Sequence, residues 1–393
     1  MKAAIDIEKV RSETPAAEKL IHLNNAGTSL MPAAAGATML DYLHQEQNCG
    51  GYETEMSRST ELDAFYDHAA RLVGCDADEI AFFEGATKAW QQFFYAVPMT
   101  KGQRIVTTQT DYGSNFVGYL HRKKRDGVDI DIIECDANGD IDLEQMRRAV
   151  DDRTALIAIS HIPTGSGLIN PARDVGNIAR DAGVPYLLDA CQSVGQIQVD
   201  VSDIGCTALS VTGRKYLRGP RGTGFLYVNR AALSEVRPQS LDQRGVTLHD
   251  DSDYTVLPNA RCFENYERSM AAMLGLSTSI QYALDLGMES IEQRIRHLGA
   301  YLRAALEDCP GATCEDMGSS LGGIVSISIP GVDPEEVRAG LHDHSINVWV
   351  SSGAGSLVDF QRRGIHSLIR ASVHYFNTED EIDQLIKVLK NGF

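Results

Sequence analysis

Short apolar runs alternate with amphipathic helical segments between residues 60 and 230, and this alternation limits the folds open to the chain. The apolar runs cover residues 80–83, 104–108, 129–134, 155–160, 186–189, 208–211 and 224–228. The helical segments include residues 62–73, 88–97, 115–125, 143–150 and 172–182. Because strands separated by helices pair in parallel, the sequence predicts an α/β fold with a mostly parallel seven-stranded sheet flanked by helices.

The pattern changes after about residue 260. One long helical segment is followed by short strands and helices; these elements cover residues 270–306, 323–329, 334–342, 346–350 and 368–373, with a last helix from Glu379. This order predicts a smaller α+β C-terminal domain, and 393 residues exceed one typical core. We therefore expect an N-terminal arm (1–30) that contributes to the small domain and to the site. A large domain (31–260) follows, and a connecting helix with the small domain (261–393) ends the chain.

Charge and cysteine spacing exclude several classes of partner. Thirty-six basic against fifty-four acidic side chains give a formal net charge of −18, which argues against nucleic acid and anionic membranes. The eight cysteines show no CxxC pair and no metal-type spacing, so we expect reduced thiols and no metal site. Neither a membrane span nor a signal peptide is predicted, and we expect a cytoplasmic protein.

Two of the apolar runs end in charged or reactive side chains. The run at 186–188 delivers Asp189 to the end of a buried strand, where a carboxylate needs a cationic partner. The run at 208–211 ends in Thr212, Gly213, Arg214 and Lys215. Since open sheets bind ligands at the carboxyl ends of their strands, both positions are expected in one site.

These side chains suit the cofactor pyridoxal phosphate. A protonated pyridine nitrogen is a cationic partner for Asp189, and Lys215 can form a Schiff base with the cofactor aldehyde. Hydroxyl and guanidinium groups can bind its phosphate. The segment Glu84 to Thr87 follows a strand and precedes a helix, so the backbone of Ala86 and Thr87 could also bind phosphate. The alternative for Thr87 is an ordinary helix cap.

With these motifs, PYLLDACQSVGQ and LSVTGRKYLRGPRGTGFLYV, the sequence resembles the class V aminotransferase family of fold-type I pyridoxal phosphate enzymes. That family includes cysteine desulfurases, kynureninases and isopenicillin N epimerase. The resemblance runs from about Leu23 to about Leu389, and the segment GRKYLRGPRGTGFLYV is most similar to carbon–sulfur lyases such as the ergothioneine-pathway sulfoxide lyases. It implies a homodimer with sites at the interface.

The resemblance assigns roles to individual cofactor-site positions. It implies that Lys215 is the Schiff-base lysine, that Asp189 binds the pyridinium, and that Gln192 donates to the ring hydroxyl oxygen. Thr212 and Arg214 fall at phosphate-binding positions. Tyr112, in TQTDYGSN, matches the aromatic ring that stacks on the cofactor; a surface or interface anchor is the alternative.

Other positions concern the substrate. Arg370 matches the arginine that binds the substrate α-carboxylate, and a structural ion pair is the alternative. Asn25 lies in a loop that the family folds over the substrate, or in a simple turn. Thr164 stands where the family often has an asparagine contacting the ring oxygen; it either substitutes or the contact is missing. His161 is a weaker acid–base candidate.

Two further arginines follow the Schiff-base lysine. Arg218 and Arg221 are candidates for the cofactor phosphate or for a distal acid of the substrate, or they pair with acidic neighbours.

The reaction is inferred from what the sequence contains and lacks. Relay-type cysteine desulfurases carry a nucleophilic cysteine in the segment that matches VSSGAGSLVDF, which here offers Ser352 and Ser356. We therefore predict β-elimination from a cysteine-derived amino acid or its S-oxide, releasing pyruvate and ammonia. The alternatives are an aminotransferase or epimerase, which would use the same Lys215, and a non-catalytic binding module.

Overall fold

The computed structural model describes residues 5–392. Within that range the chain forms fifteen strands, β1–β15, and fourteen α-helices, α1–α14. The strands are β1 Ile21–His22, β2 Ile80–Phe83, β3 Arg104–Thr108, β4 Asp129–Ile133, β5 Thr154–Ser160, β6 Tyr186–Asp189, β7 Ala208–Thr212, β8 Gly224–Val228, β9 Val246–Leu248, β10 Tyr254–Val256, β11 Thr313–Cys314, β12 Ile324–Ser328, β13 Ile346–Asn347, β14 Trp349–Ser352 and β15 Ser367–Ser372. The helices are α1 Ile7–Ser12, α2 Ala33–Cys49, α3 Gly51–Ser57, α4 Ser59–Val73, α5 Ala86–Ala96, α6 Gly113–Asp126, α7 Leu143–Ala149, α8 Ala172–Ala182, α9 Val201–Ile204, α10 Met270–Leu286, α11 Met288–Glu307, α12 Pro334–Asp343, α13 Leu357–Arg363 and α14 Glu379–Asn391.

The large sheet has seven strands in the order β2-β8-β7-β6-β5-β3-β4. Strands β3 to β7 run parallel to one another, whereas β8 is antiparallel to both β7 and β2. The predicted fold class, a mostly parallel seven-stranded sheet flanked by helices, is confirmed. Parallel pairing brings the ends of β5, β6 and β7 to one edge of the sheet.

Both faces of this sheet are covered, which explains why its central strands are continuous apolar runs. All residues of β5 to β8 are buried. Because side chains alternate along a strand, Leu187 packs into the cluster that holds Trp90 and Phe93 of α5. Leu188 packs into the larger cluster on the opposite face, with Val175 of α8.

A second, antiparallel sheet has the order β11-β12-β15-β14. The N-terminal segment joins the C-terminal part of the chain, because β1 pairs in parallel with β13 through Ile21 and Ile346. A further bridge links Asn24 to Ser372. The domain limits at residues 30 and 260 stay predictions.

Two predicted elements are divided in the structure. The predicted helical segment 270–306 forms two helices, α10 and α11. They are separated at Gly287, where φ is +87°. Glycine adopts this backbone conformation readily. The predicted strand 346–350 becomes β13, which pairs with β1, and β14, which pairs with β15. Within residues 5–392, no helix is both long and apolar enough to span a membrane.

Candidate active site

The site lies at the carboxyl edge of the large sheet, where three neighbouring strands end. Ser160 of β5 is paired with Asp189 of β6, and Asp189 is paired with Ser210 of β7. Thr212 ends β7, and Lys215 follows in the next turn. The topology therefore brings together Asp189, Thr212 and Lys215, as the sequence predicted.

Asp189 is a buried carboxylate held by neutral donors. Its side chain accepts hydrogen bonds from the Asn115 amide at 3.0 Å and from the Cys191 backbone N–H at 3.0 Å. Among the described residues, no cationic side chain forms a salt bridge with it. A buried carboxylate with only neutral partners retains the capacity to bind a cationic group.

Lys215 is buried as well, with 9% of its surface exposed. Its Nζ atom has no hydrogen bond to any residue in the range 5–392 and lies 5.9 Å from the centre of the Tyr112 ring. Burial lowers the pKa of the Lys215 ammonium, which favours the neutral amine needed for attack on a carbonyl. The turn that carries Lys215 is closely packed, since a Cβ added at Gly213 would lie 2.2 Å from the Thr223 hydroxyl.

An anion-binding helix end lies beside the end of β7. Helix α5 begins at Ala86, followed by the exposed Thr87, and no side chain caps it. Gly224 pairs with Thr212, and an added Cβ at Gly224 would lie 3.2 Å from the Ala86 nitrogen. The uncapped N–H groups of α5 therefore lie close to the strand pair that ends at Thr212, and an uncapped helix end suits a phosphate.

Arg214 lines the cavity above Lys215 and is partly committed to the N-terminal arm. Its Nη1 atom donates to the Gly27 carbonyl and lies 3.5 Å from the Thr28 hydroxyl. Its remaining donors have no partner among the described residues. The guanidinium can therefore hold the arm and still contact an anion.

A cavity of about 640 Å³ opens over these residues. Tyr112, Thr164, Arg214, Lys215, Arg221 and Arg370 are among its lining side chains. Tyr112 is only half-buried, so a ring face is available for stacking at the cavity wall. The predicted roles of Tyr112, Thr164, Arg214 and Arg370 thus fall on residues that share one cavity.

Arg370 and Thr164 are hydrogen-bonded to each other at the cavity wall, next to Asn24 of the arm. Arg370 Nη1 donates to the Thr164 hydroxyl at 2.8 Å and to its carbonyl at 3.0 Å, while Nη2 lies 3.4 Å from Asn24 Oδ1. Its Nε is buried without a hydrogen-bond partner in the described chain. Burial lowers the pKa of Arg370 to about 10, so the guanidinium is charged at neutral pH. Without an acidic partner among residues 5–392, it is available to a carboxylate.

Gln192, the expected donor to the cofactor ring oxygen, forms a hydrogen bond with Thr164. Gln192 donates to the Ala26 carbonyl at 3.1 Å and to the Thr164 hydroxyl at 3.3 Å, which occupies both amide hydrogens. Thr164 Oγ1 accepts from Gln192 and from Arg370, so its own hydrogen remains free. The role of Gln192 as donor to the ring oxygen stays a prediction, and the free Thr164 hydrogen offers a second donor.

The structure places Asn25 away from the cavity. It is fully buried, donates to the carbonyls of His22 and Ser372, and accepts from the Ser29 hydroxyl. The adjacent Asn24 lines the cavity instead. Residues 25–27 form a turn, which was the alternative considered for Asn25, and the neighbouring Asn24 is the residue that lines the cavity.

Two other candidates, His161 and Arg218, are buried outside the cavity lining. Burial lowers the pKa of His161 to about 4, and the imidazole does not line the cavity. Arg218 is buried, with donors directed to Leu30, Tyr375 and Thr14 and the Phe376 ring 4.8 Å from its guanidinium carbon. It therefore connects the arm to the C-terminal part of the chain, and it does not reach the cavity.

The residues present fit pyridoxal phosphate. Within the described residues, the buried Asp189 carboxylate forms no salt bridge, the buried Lys215 amine has no hydrogen bond, and the start of α5 has no side-chain cap. These three features match a ring nitrogen, an aldehyde and a phosphate. Within residues 5–392 no cluster of three metal-ligating side chains is present. The fold and this donor set define a pyridoxal phosphate-dependent enzyme of fold type I.

The family model Aminotransferase class-V matches residues 21–385. The chain therefore belongs to the class V aminotransferase family, as the motifs around Asp189 and Lys215 predicted, and pyridoxal phosphate is its cofactor.

Individual relatives cover the whole length of the chain. A protein named probable cysteine desulfurase from Methanothermobacter thermautotrophicus is 29% identical over 98% of this chain and 97% of its own. An apo cysteine desulfurase from Thermococcus onnurineus NA1 has a TM-score of 0.93 at 24% identity, covering 100% of this chain and 99% of that one. The cystine C-S lyase C-DES, solved with cysteine persulfide, has a TM-score of 0.87 at 20% identity, covering 96% and 99%. These structural likenesses show the fold.

Sequence reasoning missed part of the site. Asp111 and Asn115, four residues apart at the start of α6, connect to Asp189 through the Asn115 amide. The segment TQTDYGSN contains them as an Asp and an Asn four residues apart, with Asp111 two residues before α6 begins. Trp349 and Ser351 of β14 also line the cavity, and no sequence pattern marked them.

Proposed function

We propose that the protein is a carbon–sulfur β-lyase that cleaves a cysteine-derived amino acid to a thiol, pyruvate and ammonia. For an S-substituted cysteine the balance is RS–CH₂–CH(NH₃⁺)–COO⁻ + H₂O → RSH + CH₃–CO–COO⁻ + NH₄⁺. The Cα–H, Cβ–S and C–N bonds break, water supplies the keto oxygen, and no external oxidant or reductant is needed. For an S-oxide the leaving group is the corresponding sulfenic acid.

Bound pyridoxal phosphate supplies an electron-withdrawing ring that stabilises negative charge at the substrate Cα. Arg370 would hold the α-carboxylate through its planar guanidinium, and Asn24 and Thr164 keep that guanidinium in place. Lys215 would take the Cα proton at Nζ, because burial favours its neutral form. Asp189 would hold the cofactor ring nitrogen in its protonated state.

One observation favours elimination over sulfur relay: no cysteine lines the cavity among the described residues. The segment corresponding to the relay cysteine contributes Ser351, Ser352 and Gly355 instead. Cys191 follows Asp189 closely, but it does not line the cavity, and burial raises the pKa of its thiol well above the usual range. Its thiolate, the nucleophile of a sulfur relay, is therefore disfavoured.

The names of the relatives support carbon–sulfur chemistry in two forms. One solved relative is titled a cystine C-S lyase, and several sequence relatives are named cysteine desulfurases. A desulfurase yields alanine and a sulfur atom passed to an acceptor, so it is the second candidate function. Amino transfer and epimerisation remain alternatives that use the same Lys215.

Product analysis distinguishes these reactions. The holoenzyme is incubated separately with L-cysteine, L-cystine, S-methyl-L-cysteine and S-methyl-L-cysteine sulfoxide, and pyruvate, ammonia, alanine and sulfide are quantified. Equal amounts of pyruvate and ammonia from at least one of them support the lyase. Alanine with sulfide and no pyruvate would identify a desulfurase. Keto-acid-dependent loss of amino groups, or formation of the D-amino acid with the carbon–sulfur bond intact, would transfer the assignment to the other two reactions.

A further inference from the structure

The cavity has one cationic side chain to which the proposed function gives no role. Four of its lining side chains are cationic, namely Arg214, Lys215, Arg221 and Arg370. None of the described lining residues is acidic. This concentration contrasts with a chain whose formal net charge is −18, so the cavity is a local positive region on an acidic protein.

Three of the four cations have assigned anions or reactions. Lys215 would hold the cofactor aldehyde, Arg370 would hold the α-carboxylate, and Arg214 is the candidate for the cofactor phosphate. Asp189 offsets the protonated ring nitrogen. Arg221 is left without an assigned anion.

Arg221 is available to bind an anion. It follows Lys215 in the connection between β7 and β8 and is exposed. It makes no salt bridge and no side-chain hydrogen bond with any residue in the range 5–392. The pKa of the Arg214 guanidinium is lowered first by burial and then by the positive charge of the nearby Arg221. Two adjacent guanidinium groups without an acid between them favour an added anion.

We propose that Arg221 binds a second acidic group, located on the side chain of the substrate. The substrate class is then a cysteine derivative whose sulfur substituent carries a carboxylate or another oxyanion, rather than one with a neutral substituent. This inference rests on the proposed function because it takes Arg370 as the site of the α-carboxylate. Hydroxyl groups at Thr28, Ser29 and Ser352, which also line the cavity, can donate to the same oxyanion.

A pair of unreactive ligands tests the charge preference alone. The compounds are 3-(carboxymethylthio)propanoate and its neutral counterpart 3-(carbamoylmethylthio)propanoate, which lack the amino group and cannot react with the cofactor. Their dissociation constants for the holoenzyme are measured by calorimetry. We expect the dicarboxylate to bind about tenfold more tightly, and we expect that ratio to shrink as ionic strength rises.

The variant Arg221→Gln removes the charge and keeps a polar side chain of similar reach. The ratio should fall to within about twofold of one, while the affinity for the amide stays unchanged. Arg148→Gln is the matched control, because Arg148 is exposed on α7 and does not line the cavity. It should keep the wild-type ratio.

Two results would overturn the proposal. Equal binding of the two ligands by the wild-type protein would remove the acidic preference. A loss of pyridoxal phosphate affinity in Arg221→Gln, with the ligand ratio unchanged, would assign Arg221 to the cofactor phosphate. Because the titration needs no bond cleavage, a protein that forms no pyruvate yet keeps the ratio would contradict the lyase reaction and leave the acidic substrate class standing.

Discussion

The side-chain amide of Asn115 donates a hydrogen bond to the Asp189 carboxylate at 3.0 Å. Its second hydrogen is directed to Asp111, 3.1 Å away. Asp111 is fully buried and also accepts from Ser160 and Tyr119. One amide group therefore separates two buried carboxylates and orients the one that is proposed to hold the cofactor ring.

Asn115→Ala is expected to weaken cofactor binding. Without the amide, Asp189 loses a donor and faces the negative charge of Asp111, so its carboxylate is less well oriented. We expect the dissociation constant for pyridoxal phosphate to rise about tenfold, equivalent to a lost charged hydrogen bond of about 1.5 kcal/mol. The measurement is an absorbance titration of the apoprotein. Asn48→Ala, on the exposed face of α2, is the control; equal affinities in both variants would contradict the role of Asn115.

Lys215→Ala is expected to abolish turnover and the visible absorbance that the cofactor acquires when joined to a lysine. The residue is buried, and its Nζ has no hydrogen bond that maintains the fold among the described residues. We therefore expect an unchanged circular dichroism spectrum and a rate lowered by at least about a thousandfold. Lys124→Ala, on the exposed end of α6, serves as the control. Retention of the visible band would show that another amine binds the cofactor.

Arg218→Met tests the connection between the arm and the C-terminal part of the chain. The substitution leaves the Leu30 carbonyl and the hydroxyls of Tyr375 and Thr14 without their donor in a buried location. We expect the free energy of unfolding in urea to fall by roughly 3 kcal/mol, since unsatisfied buried groups are costly. Arg148→Met should leave it unchanged. A variant as stable as the wild type would mean that aromatic packing alone supports this junction.

Acid should destabilise the protein through histidines that are neutral when folded. Burial lowers the pKa of His161 to about 4 and also lowers the pKa values of His22 and His374. The unfolded chain therefore binds more protons below about pH 6.5, and stability falls as pH drops from 6.5 toward 4. His161 alone should account for about 2 kcal/mol at pH 5. Urea unfolding at pH 7.5 and pH 5 measures this loss, which His161→Gln should reduce by that amount.

The sequence alone was sufficient to predict those features that one local pattern determines. Apolar runs bounded by glycine and helical spacing located the strands of the large sheet, and the polar residues after β6 and β7 identified Asp189 and Lys215. These features are local, because a strand that is buried on both faces must be apolar throughout. The family motif then added Arg370, which lies in the same cavity.

Contacts between segments that are far apart in the sequence could not be predicted from local patterns. Asn24 and Asn25 have the same side chain, and only the bridge to Ser372 decides which one faces the cavity. Arg218 and Arg221 stand three residues apart in one loop, yet one is enclosed by aromatic rings and the other lines the cavity. Tertiary packing determines both outcomes, and a single sequence does not encode it in any short pattern.

The attachment of the arm also has a consequence for synthesis on the ribosome. Strand β1 precedes the strands of the large sheet in the chain, whereas its partner β13 and the bridging residue Ser372 follow them. The contact between Asn24 and Arg370 can therefore form only after β15 has been synthesised. The large sheet, which carries Lys215, can be built before that contact completes the wall of the cavity.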